Sequence, residues 1–252
     1  MRGLNPGEKE RFKMHDGAFF GWGWKKMNLP HPQTRPGIKT IVTVLNIISR
    51  NGDIDWSKHR YNDTVFVTGD GHCLAQDCKE LKSWGIGYDI FAVNRSLIFH
   101  EEQVTHWAAI DLEETIWFTQ NLTNAQQPDR LVKRHTIGDV PGAVDFMWEM
   151  DYPWQDDAQK LVFIGNSGYF AVLASIIMGY KKIILGGMPL NTLPHWYENP
   201  SEHAGPNWAG HVYTQWMDFK IKRPGAARVR SLSGYSAFIL GEATKGWAQC
   251  QK

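Results

Sequence analysis

From residue 64 onward the chain alternates short apolar runs with segments whose apolar residues recur at helical spacing. The β-branched run 64–69 ends in glycine, which is typical of a buried parallel strand, and residues 74–84 predict the helix that follows it. The same reasoning predicts further strands at 88–94, 106–111, 160–165 and 181–187, a buried helix at 168–179, and a late edge strand at 229–234. This alternation predicts an α/β fold, a Rossmann-like, doubly wound and mostly parallel sheet.

Other stretches depart from the alternation. Residues 1–36 are rich in Gly, Pro, Trp and charge without a sustained period, and they predict an irregular N-terminal arm. Residues 38–48 fit a strand by their β-branched content and a helix by their length. The acidic region 112–158 shows no clear period and predicts a lid-like insertion. The polar, Pro-rich and aromatic stretch 188–216 predicts a functional loop, because long structureless loops are rare in compact α/β domains.

The length of 252 residues suits one large domain, or one domain with an arm. We assign residues 1–60 to the arm and its leading element, and residues 61–252 to the Rossmann-like domain. With 42% hydrophobic and 21% charged residues, the composition excludes an intrinsically disordered protein. The 12 tryptophans indicate a surface or cleft that binds a planar or amphipathic ligand.

The formal net charge of +1 argues against a protein that binds nucleic acid or membrane by bulk electrostatics. It conceals a segregation of charge, since residues 1–40 carry a net +5 and residues 101–160 a net −8. Residues 219–230 contain five basic side chains and no acid. Solvated faces explain such runs, and the alternative is a basic rim that faces an anionic substrate.

The N-terminus lacks the apolar stretch of a signal peptide, and the longest apolar run, 169–178, is too short to span a bilayer. Cys73, Cys78 and Cys250 form no paired framework, and no second ligand pair at zinc-binding spacing accompanies them. We therefore expect a cytoplasmic protein with no resident metal site.

Candidate chemistry begins at the turn after the first strand. Gly69, Asp70 and Gly71 form a Gly-x-Gly turn that lets the backbone approach a ligand, while the next helix offers its N-terminus to phosphate. Leu74 stands where a dinucleotide fingerprint has its third glycine, and the ending of a P-loop is absent. A tight turn without a ligand is the alternative.

Polar residues also end the next two predicted strands. Asn94 lies where such sheets bind ligands, and its amide suits sugar hydroxyls or base edges, while Arg95 could neutralise phosphate. Asp111 could bind a ribose hydroxyl, hold a metal or cap a helix.

Small polar residues open the predicted buried helix. Asn166, Ser167 and Gly168 suit either an N-cap or a second anion site. The stretch 188–216 carries three histidines, which are natural proton acceptors for a hydroxyl nucleophile: His195, His203 and His211.

These segments resemble a Rossmann-like family that includes small bacterial sialyltransferases, related phage and flagellar-glycosylation proteins, and a pterin diphosphokinase-like branch. The family's Gly-Asn-Gly-Pro-Ser-Leu motif corresponds to Gly69–Leu74, and its strand-end Val-Asn pair to Val93 and Asn94. Its Thr-Ser-Gly helix start and Gly-Tyr-Lys-Glu-Ile-Tyr-Leu-x-Gly motif correspond to residues 166–168 and 179–187. The resemblance covers about residues 64–111 and 160–240, and the last motif is the most specific.

In that family the glycine turn, the strand-end Asn and the Ser-Gly helix start surround a cytidine nucleotide sugar, and no metal is required. The resemblance implies His211 as the general base, with His203 as second choice, and Tyr197 and Tyr213 as ligands of the donor phosphate. Asp70 departs from the family's Asn, and an anion near phosphate is unfavourable unless a cation intervenes. Mg²⁺ therefore stays an open alternative.

The sequence thus predicts a glycosyltransferase-like enzyme that transfers a sugar from a nucleotide-activated donor to an acceptor hydroxyl, on a glycan or a modified DNA base. The alternatives are a Mg²⁺-dependent diphosphokinase of the same fold, which would use Asp70 and Asp111 as ligands, and a non-catalytic nucleotide-binding or assembly protein. The oligomeric state is open.

Overall fold

The structure is a computed structural model that describes residues 46–49, 52–100, 103–110, 132–137, 146–151, 166–199 and 209–250. The chain divides into two compact units, Met1–Ile38 and Lys39–Lys252. The first unit, which holds nearly all of the predicted arm, and the predicted strand at 160–165 lie outside the described residues.

One sheet contains all of the described strands. They are β1 (Asn46–Ser49), β2 (Thr64–Thr68), β3 (Asp89–Val93), β4 (His106–Ala108), β5 (Lys133–Ile137), β6 (Phe146–Asp151), β7 (Lys182–Gly186) and β8 (Val229–Ser231). Their spatial order is β1-β6-β5-β4-β3-β2-β7-β8. β1 pairs antiparallel with β6, and the other pairs are parallel. The prediction of a mostly parallel α/β sheet is confirmed.

Helices follow most of the parallel strands. They are α1 (Leu74–Ser83), α2 (Ser96–Phe99), α3 (Ser167–Ile177), α4 (Ala209–Lys222), α5 (Gly234–Leu240) and α6 (Lys245–Gln249), with 3-10 turns at Trp56–His59 and Pro224–Arg228. None of the described helices is long and apolar enough to cross a membrane.

The strands bury side chains on both faces of the sheet, as a doubly wound fold requires. Val65 and Val67 of β2 belong to the core cluster that contains the apolar residues of α3 and α4. Phe66, between them, belongs to the cluster that contains Leu74 and Leu81 of α1. The helices therefore cover opposite faces, and the continuous apolar runs of the sequence reflect this double burial.

Two regions differ from the sequence prediction. Strands β5 and β6 lie within 112–158, the region predicted as a lid-like insertion. Their sequences mix charged and apolar residues, so this region shows no clear period. Helix α4 begins at Ala209, so the end of the stretch 188–216 is helical rather than a loop. At 229–234, strand β8 ends at Ser231, and it forms the predicted edge.

The sheet reverses its order at β2. The chain proceeds from β2 through β3 to β6 on one side and then returns to the other side of β2 with β7. In open α/β sheets, ligands bind outside the carboxyl ends of the strands near this reversal. The turns after β2, β3, β4 and β7 therefore define the edge of the sheet where a site is expected.

A chain of buried hydrogen bonds connects strands β3, β4 and β5 with Tyr180, which lies just before β7. The Tyr180 hydroxyl donates to Asp89 Oδ2 at 2.7 Å and lies 3.0 Å from His106 Nε2. His106 Nδ1 lies 3.0 Å from Nε2 of His135 on β5. Burial lowers the pKa of His106 to about 3 and holds the pKa of His135 well below its ordinary value. Both imidazoles are therefore neutral in the folded protein near pH 7.

Candidate functional site

The glycine turn after β2 packs directly on the segment after β7. The N–H of Gly69 donates to the carbonyl oxygen of Gly186 at 2.9 Å, and the N–H of Gly71 donates to that of Gly187 at 2.7 Å. A Cβ on Gly71 would overlap the ring of Pro189. Close backbone packing thus requires glycine at position 71 whether or not a ligand binds there, and this packing is the physical cause of the tight turn.

Met188 connects the two glycine motifs. A Cβ on Gly69 would lie 2.7 Å from Met188 Cγ, and a Cβ on Gly168 would lie 2.9 Å from Met188 Sδ. Met188 is buried. Gly69 and Gly168 are 99 positions apart in the sequence. The turn after β2 and the start of α3 therefore pack against the same side chain.

Asn94 and Asp70 organise the end of β3. Asn94 has a left-handed backbone with φ of 49°, which asparagine tolerates better than most residues, and its N–H donates to the carbonyl oxygen of Ala108. In the described part of the chain, no hydrogen-bond donor reaches the buried Asn94 Oδ1. Asp70 Oδ2 accepts a long hydrogen bond of 3.4 Å from the N–H of Arg95. Asp70 thus contacts the backbone of Arg95, whose guanidinium lies over the Tyr197 ring.

The start of α3 is tied to the end of β4. Asn166 Oδ1 accepts from the N–H of Tyr169 at 2.8 Å, so Asn166 is the N-cap, and Ser167 Oγ accepts from the N–H of Ile110 at 3.1 Å. Asp111, which follows Ile110, lies outside the described residues. The N-cap interpretation of Asn166 is thus satisfied, while the amides of Ser167 and Gly168 occupy the first turn, where a helix has no intrahelical acceptor for them.

His195 lies against the glycine turn. It forms an antiparallel bridge with Gly71, and the N–H of the next residue, Trp196, donates to the carbonyl oxygen of Asp70 at 3.0 Å. Glu198 Oε2 accepts a hydrogen bond from the backbone N–H of His195 at 2.8 Å, and Glu198 Oε1 lies 2.9 Å from the ring Nδ1 of His195. Sequence reasoning missed Glu198, although a carboxylate three residues after a histidine was a usable signal.

Tyr197 joins His195 to Arg95. Its ring stacks on His195 with centroids 5.4 Å apart and planes 18° apart, and the Arg95 guanidinium lies 4.8 Å from its centroid. The structure therefore brings Tyr197 together with Asp70, Arg95 and the glycine turn.

Two contacts indicate that helices α3 and α4 run in the same direction. The Tyr169 ring contacts Trp216 at a centroid distance of 5.3 Å, and seven residues later Ile176 lies 2.8 Å from the Cβ position of Gly225, just after α4. His211 lies five residues before Trp216, about 7 Å along the axis at 1.5 Å per residue. This register puts the first turn of α4 just beyond the N-terminus of α3. The side chain of His211 and all of His203 lie outside the described residues.

Other aromatic residues of the predicted loop serve the core. Trp216 is fully buried and packs on Tyr169 and Phe219, so it does not offer a stacking surface to a ligand. Tyr213 lies 6.2 Å from Tyr235 of α5 and packs against the same core cluster. Tyr213 lies two residues after His211 and two residues before Gln215. A separation of two residues corresponds to about 200° around the helix axis, so Tyr213 projects away from the face of Gln215.

A buried carboxylate supports the site from behind. Asp77 Oδ2 of α1 accepts from the N–H of Gly187 at 2.8 Å and from the hydroxyl of Ser233 at 2.7 Å, and Ser233 Oγ lies 3.1 Å from Cys73 Sγ. Burial raises the pKa of Asp77 and, together with the Asp77 charge, the pKa of Cys73. No local pattern indicates this cluster, because Ser233 is 156 positions from Asp77.

Most of the basic run 219–230 contacts the chain itself. Lys220, Arg228 and Arg230 donate to the carbonyl oxygens of Leu240, Tyr180 and Glu242, respectively. Lys222 donates to the carboxylate of Asp218. These contacts give the four side chains a structural role. Over the described ranges, no group of three or more His, Cys, Asp and Glu side chains could hold a metal ion.

No family model and no curated protein matches the chain. Among solved structures, it is similar to the "Structure of MAf glycosyltransferase from Magnetospirillum magneticum AMB-1", with 13% identity and a TM-score of 0.43. The match covers 69% of this chain and 32% of that protein's chain. A similarity at this score supports no conclusion about activity.

Proposed function

We propose that the chain is a glycosyltransferase-like enzyme that transfers a sugar from a nucleotide-activated donor to an acceptor hydroxyl. The observation that carries the proposal is the packing of Gly69 and Gly168 against Met188. It draws the turn after β2 and the N-terminus of α3 to one edge of the sheet. These are two kinds of segment with which doubly wound folds bind activated phosphates.

The donor phosphate would lie at the start of α3. The amides of Ser167 and Gly168 and the helix dipole favour negative charge there. The side chain of Asn166 already accepts a hydrogen bond from the N–H of Tyr169. Arg95 supplies positive charge at the neighbouring strand end. Asn94 would use its amide oxygen to accept from a donor hydroxyl or from the exocyclic amine of the base. Tyr197, stacked between Arg95 and His195, would border the same site.

The general base of the proposal is His211. Its support is the place of His211 in the first turn of α4, just beyond the N-terminus of α3, where a helix N-terminus disfavours the imidazolium and so keeps the ring a proton acceptor. His211 would take the proton of the acceptor hydroxyl as that oxygen bonds to the anomeric carbon of the donor sugar. The bond from that carbon to the phosphate oxygen breaks, and the nucleotide leaves with the electron pair. Positioning supplies most of the rate.

His195 is the rival base. Glu198 Oε1 lies 2.9 Å from Nδ1 of His195, and a hydrogen bond between them would select the tautomer in which Nε2 is basic. We assign His195 instead to the wall of the site, since its backbone and ring are both engaged in holding the turn and Tyr197. The acceptor is a glycan hydroxyl in this proposal. A modified DNA base is the second acceptor class, and the proposal does not need the basic run 219–230 to contact a DNA backbone.

Binding tests the proposal first. Thermal shift with CMP, UDP and GDP sugars, in EDTA and in Mg²⁺, should show a metal-independent shift with one donor class. Arg95→Ala should weaken that shift, and Lys245→Ala, an exposed lysine of α6, should not. A shift that needs ATP with Mg²⁺ would identify a diphosphokinase instead. The absence of any nucleotide shift would favour an assembly protein.

A further inference from the structure

The buried face of α4 contains one amide among apolar residues. Val212, Trp216 and Phe219 recur at helical spacing and are fully buried in the core cluster that also holds Tyr169 of α3. Gln215 lies on this face with only 2% of its surface exposed. A residue of this type is rarely buried so completely, because its amide loses water on both polar atoms.

Among the described residues, the amide oxygen of Gln215 has no hydrogen-bond partner. In the described portion of the chain, no donor reaches Gln215 Oε1, and no acceptor reaches Nε1 of the adjacent Trp216. Folded proteins pair nearly all of their buried polar atoms, because an unpaired one keeps its full cost of desolvation. An unpaired acceptor on a core helix is therefore a candidate partner for a group of a bound ligand.

The place of Gln215 identifies the ligand group. Trp216, the next residue, contacts Tyr169, which is the third residue of α3. Gln215 therefore lies at the level of the first turn of α3, one helical turn after His211. The same turn holds the Ser167 and Gly168 amides that the proposed function gives to the donor phosphate. A group that reaches Gln215 would thus lie at the same level along the helix axes as that phosphate.

We infer that Gln215 is a specificity-determining residue that recognises the transferred sugar through a hydrogen bond. Its Oε1 accepts a hydrogen bond from a sugar hydroxyl or acylamino N–H, while the start of α3 holds the phosphate. The inference rests on the proposed function, and it adds a requirement on the substrate. The sugar must present an O–H or N–H donor close to its anomeric phosphate, and a donor sugar that lacks it is discriminated against.

Gln215→Met separates a ligand-reading role from a structural one. Methionine has a similar length and no polar atom, so it fills the buried volume and removes the unpaired oxygen. We expect the ligand-free variant to melt at the same temperature as the wild type or higher. We also expect it to lose about tenfold or more of the preference for a nucleotide sugar over its parent nucleotide. Gln249→Met, on an exposed residue of α6, should change neither quantity.

Donor analogues make the assignment specific. Each member of a series of nucleotide sugars lacks one hydroxyl of the sugar. One of these deoxy analogues should bind the wild type about tenfold more weakly than the unsubstituted nucleotide sugar does. Gln215→Met should bind that analogue and the unsubstituted nucleotide sugar equally well. A lower melting temperature in Gln215→Met with unchanged discrimination overturns the inference and leaves the proposed function intact. A wild-type chain that binds no nucleotide sugar removes the proposed function and the inference with it.

Discussion

The N–H of Gly71 donates to the carbonyl oxygen of Gly187 at 2.7 Å, and this contact fixes the carboxyl edge of the sheet. Gly71 also pairs with His195, and Gly187 donates to the buried carboxylate of Asp77. One backbone contact thus connects the helix behind the site with the histidine segment in front of it. Substitutions at either glycine should disturb the site and the fold together.

The packing of the glycine turn predicts the cost of a single methyl group. Gly71→Ala places a Cβ against the ring of Pro189 and the carbonyl of Gly187, and neither backbone can retreat without breaking a hydrogen bond. We expect a loss of about 1–3 kcal/mol in the free energy of unfolding, measured by urea denaturation. Gly246→Ala in α6, where nothing lies within 4 Å of the new Cβ, should be neutral or gain about 0.5–1 kcal/mol. Equal effects at the two positions would contradict the packing described for the turn.

Asn94 should separate stability from binding. Asn94→Gly relieves the left-handed backbone and keeps the fold, whereas Asn94→Ala should cost about 1–2 kcal/mol of unfolding free energy because alanine resists this conformation. Both variants remove the amide oxygen that the proposal gives to the donor, so both should bind nucleotide sugars more weakly. Urea denaturation and calorimetric titration measure the two effects. Unchanged affinity in a stable Asn94→Gly would remove Asn94 from the donor site.

Asp77 should control the reactivity of Cys73. Burial and the neighbouring carboxylate both raise the pKa of Cys73, and Asp77→Asn removes the carboxylate contribution while keeping an acceptor for Gly187. The Cys73 thiol should then be alkylated by iodoacetamide faster than in the wild type, since the thiolate is the reactive form. Peptide mass spectrometry distinguishes Cys73 from the exposed Cys250, whose rate serves as the internal control. A Cys73 rate that does not rise would show that the Asp77 charge has no influence on the thiol.

The buried histidines predict how stability depends on pH. His106 has a folded pKa of about 3, against 6.5 for the unfolded chain, so below pH 6.5 the unfolded state takes up a proton that the folded state refuses. Stability should therefore fall as the pH drops from 6.5 toward 3. Asp77, whose pKa is raised, acts in the opposite sense, but its contribution cancels when variants are compared. His106→Gln should reduce the slope by about 1 kcal/mol per pH unit in urea denaturation from pH 6.5 to 4.5. Parallel slopes for variant and wild type would contradict a neutral, buried His106.

The central sheet could be predicted because β2, β3 and β7 are buried on both faces and read as continuous apolar runs. Strands β5 and β6 could not, since KRHTI and FMWEMD mix charged and apolar residues and carry no run of that kind. Positions such as Asn94 and Ser167 were predicted because strand ends and helix starts follow from the strand assignments themselves. Asp77 with Ser233, and the alignment of α3 with α4, depend on contacts between distant segments that no local pattern encodes.

Transfer of sugar to acceptor is the most direct test of the account. The measurement is the release of free nucleotide from the donor that binds the wild type, in the presence of acceptor glycans, with His211→Ala and His195→Ala compared. We expect His211→Ala to keep the donor affinity and lose about 10²–10⁴-fold in turnover, as removal of a general base does, while His195→Ala keeps the larger part of its turnover. Full turnover in His211→Ala, or a loss confined to His195→Ala, would contradict the assignment of His211 as the base. An absence of turnover in the wild type with every bound donor and acceptor would contradict the transferase itself.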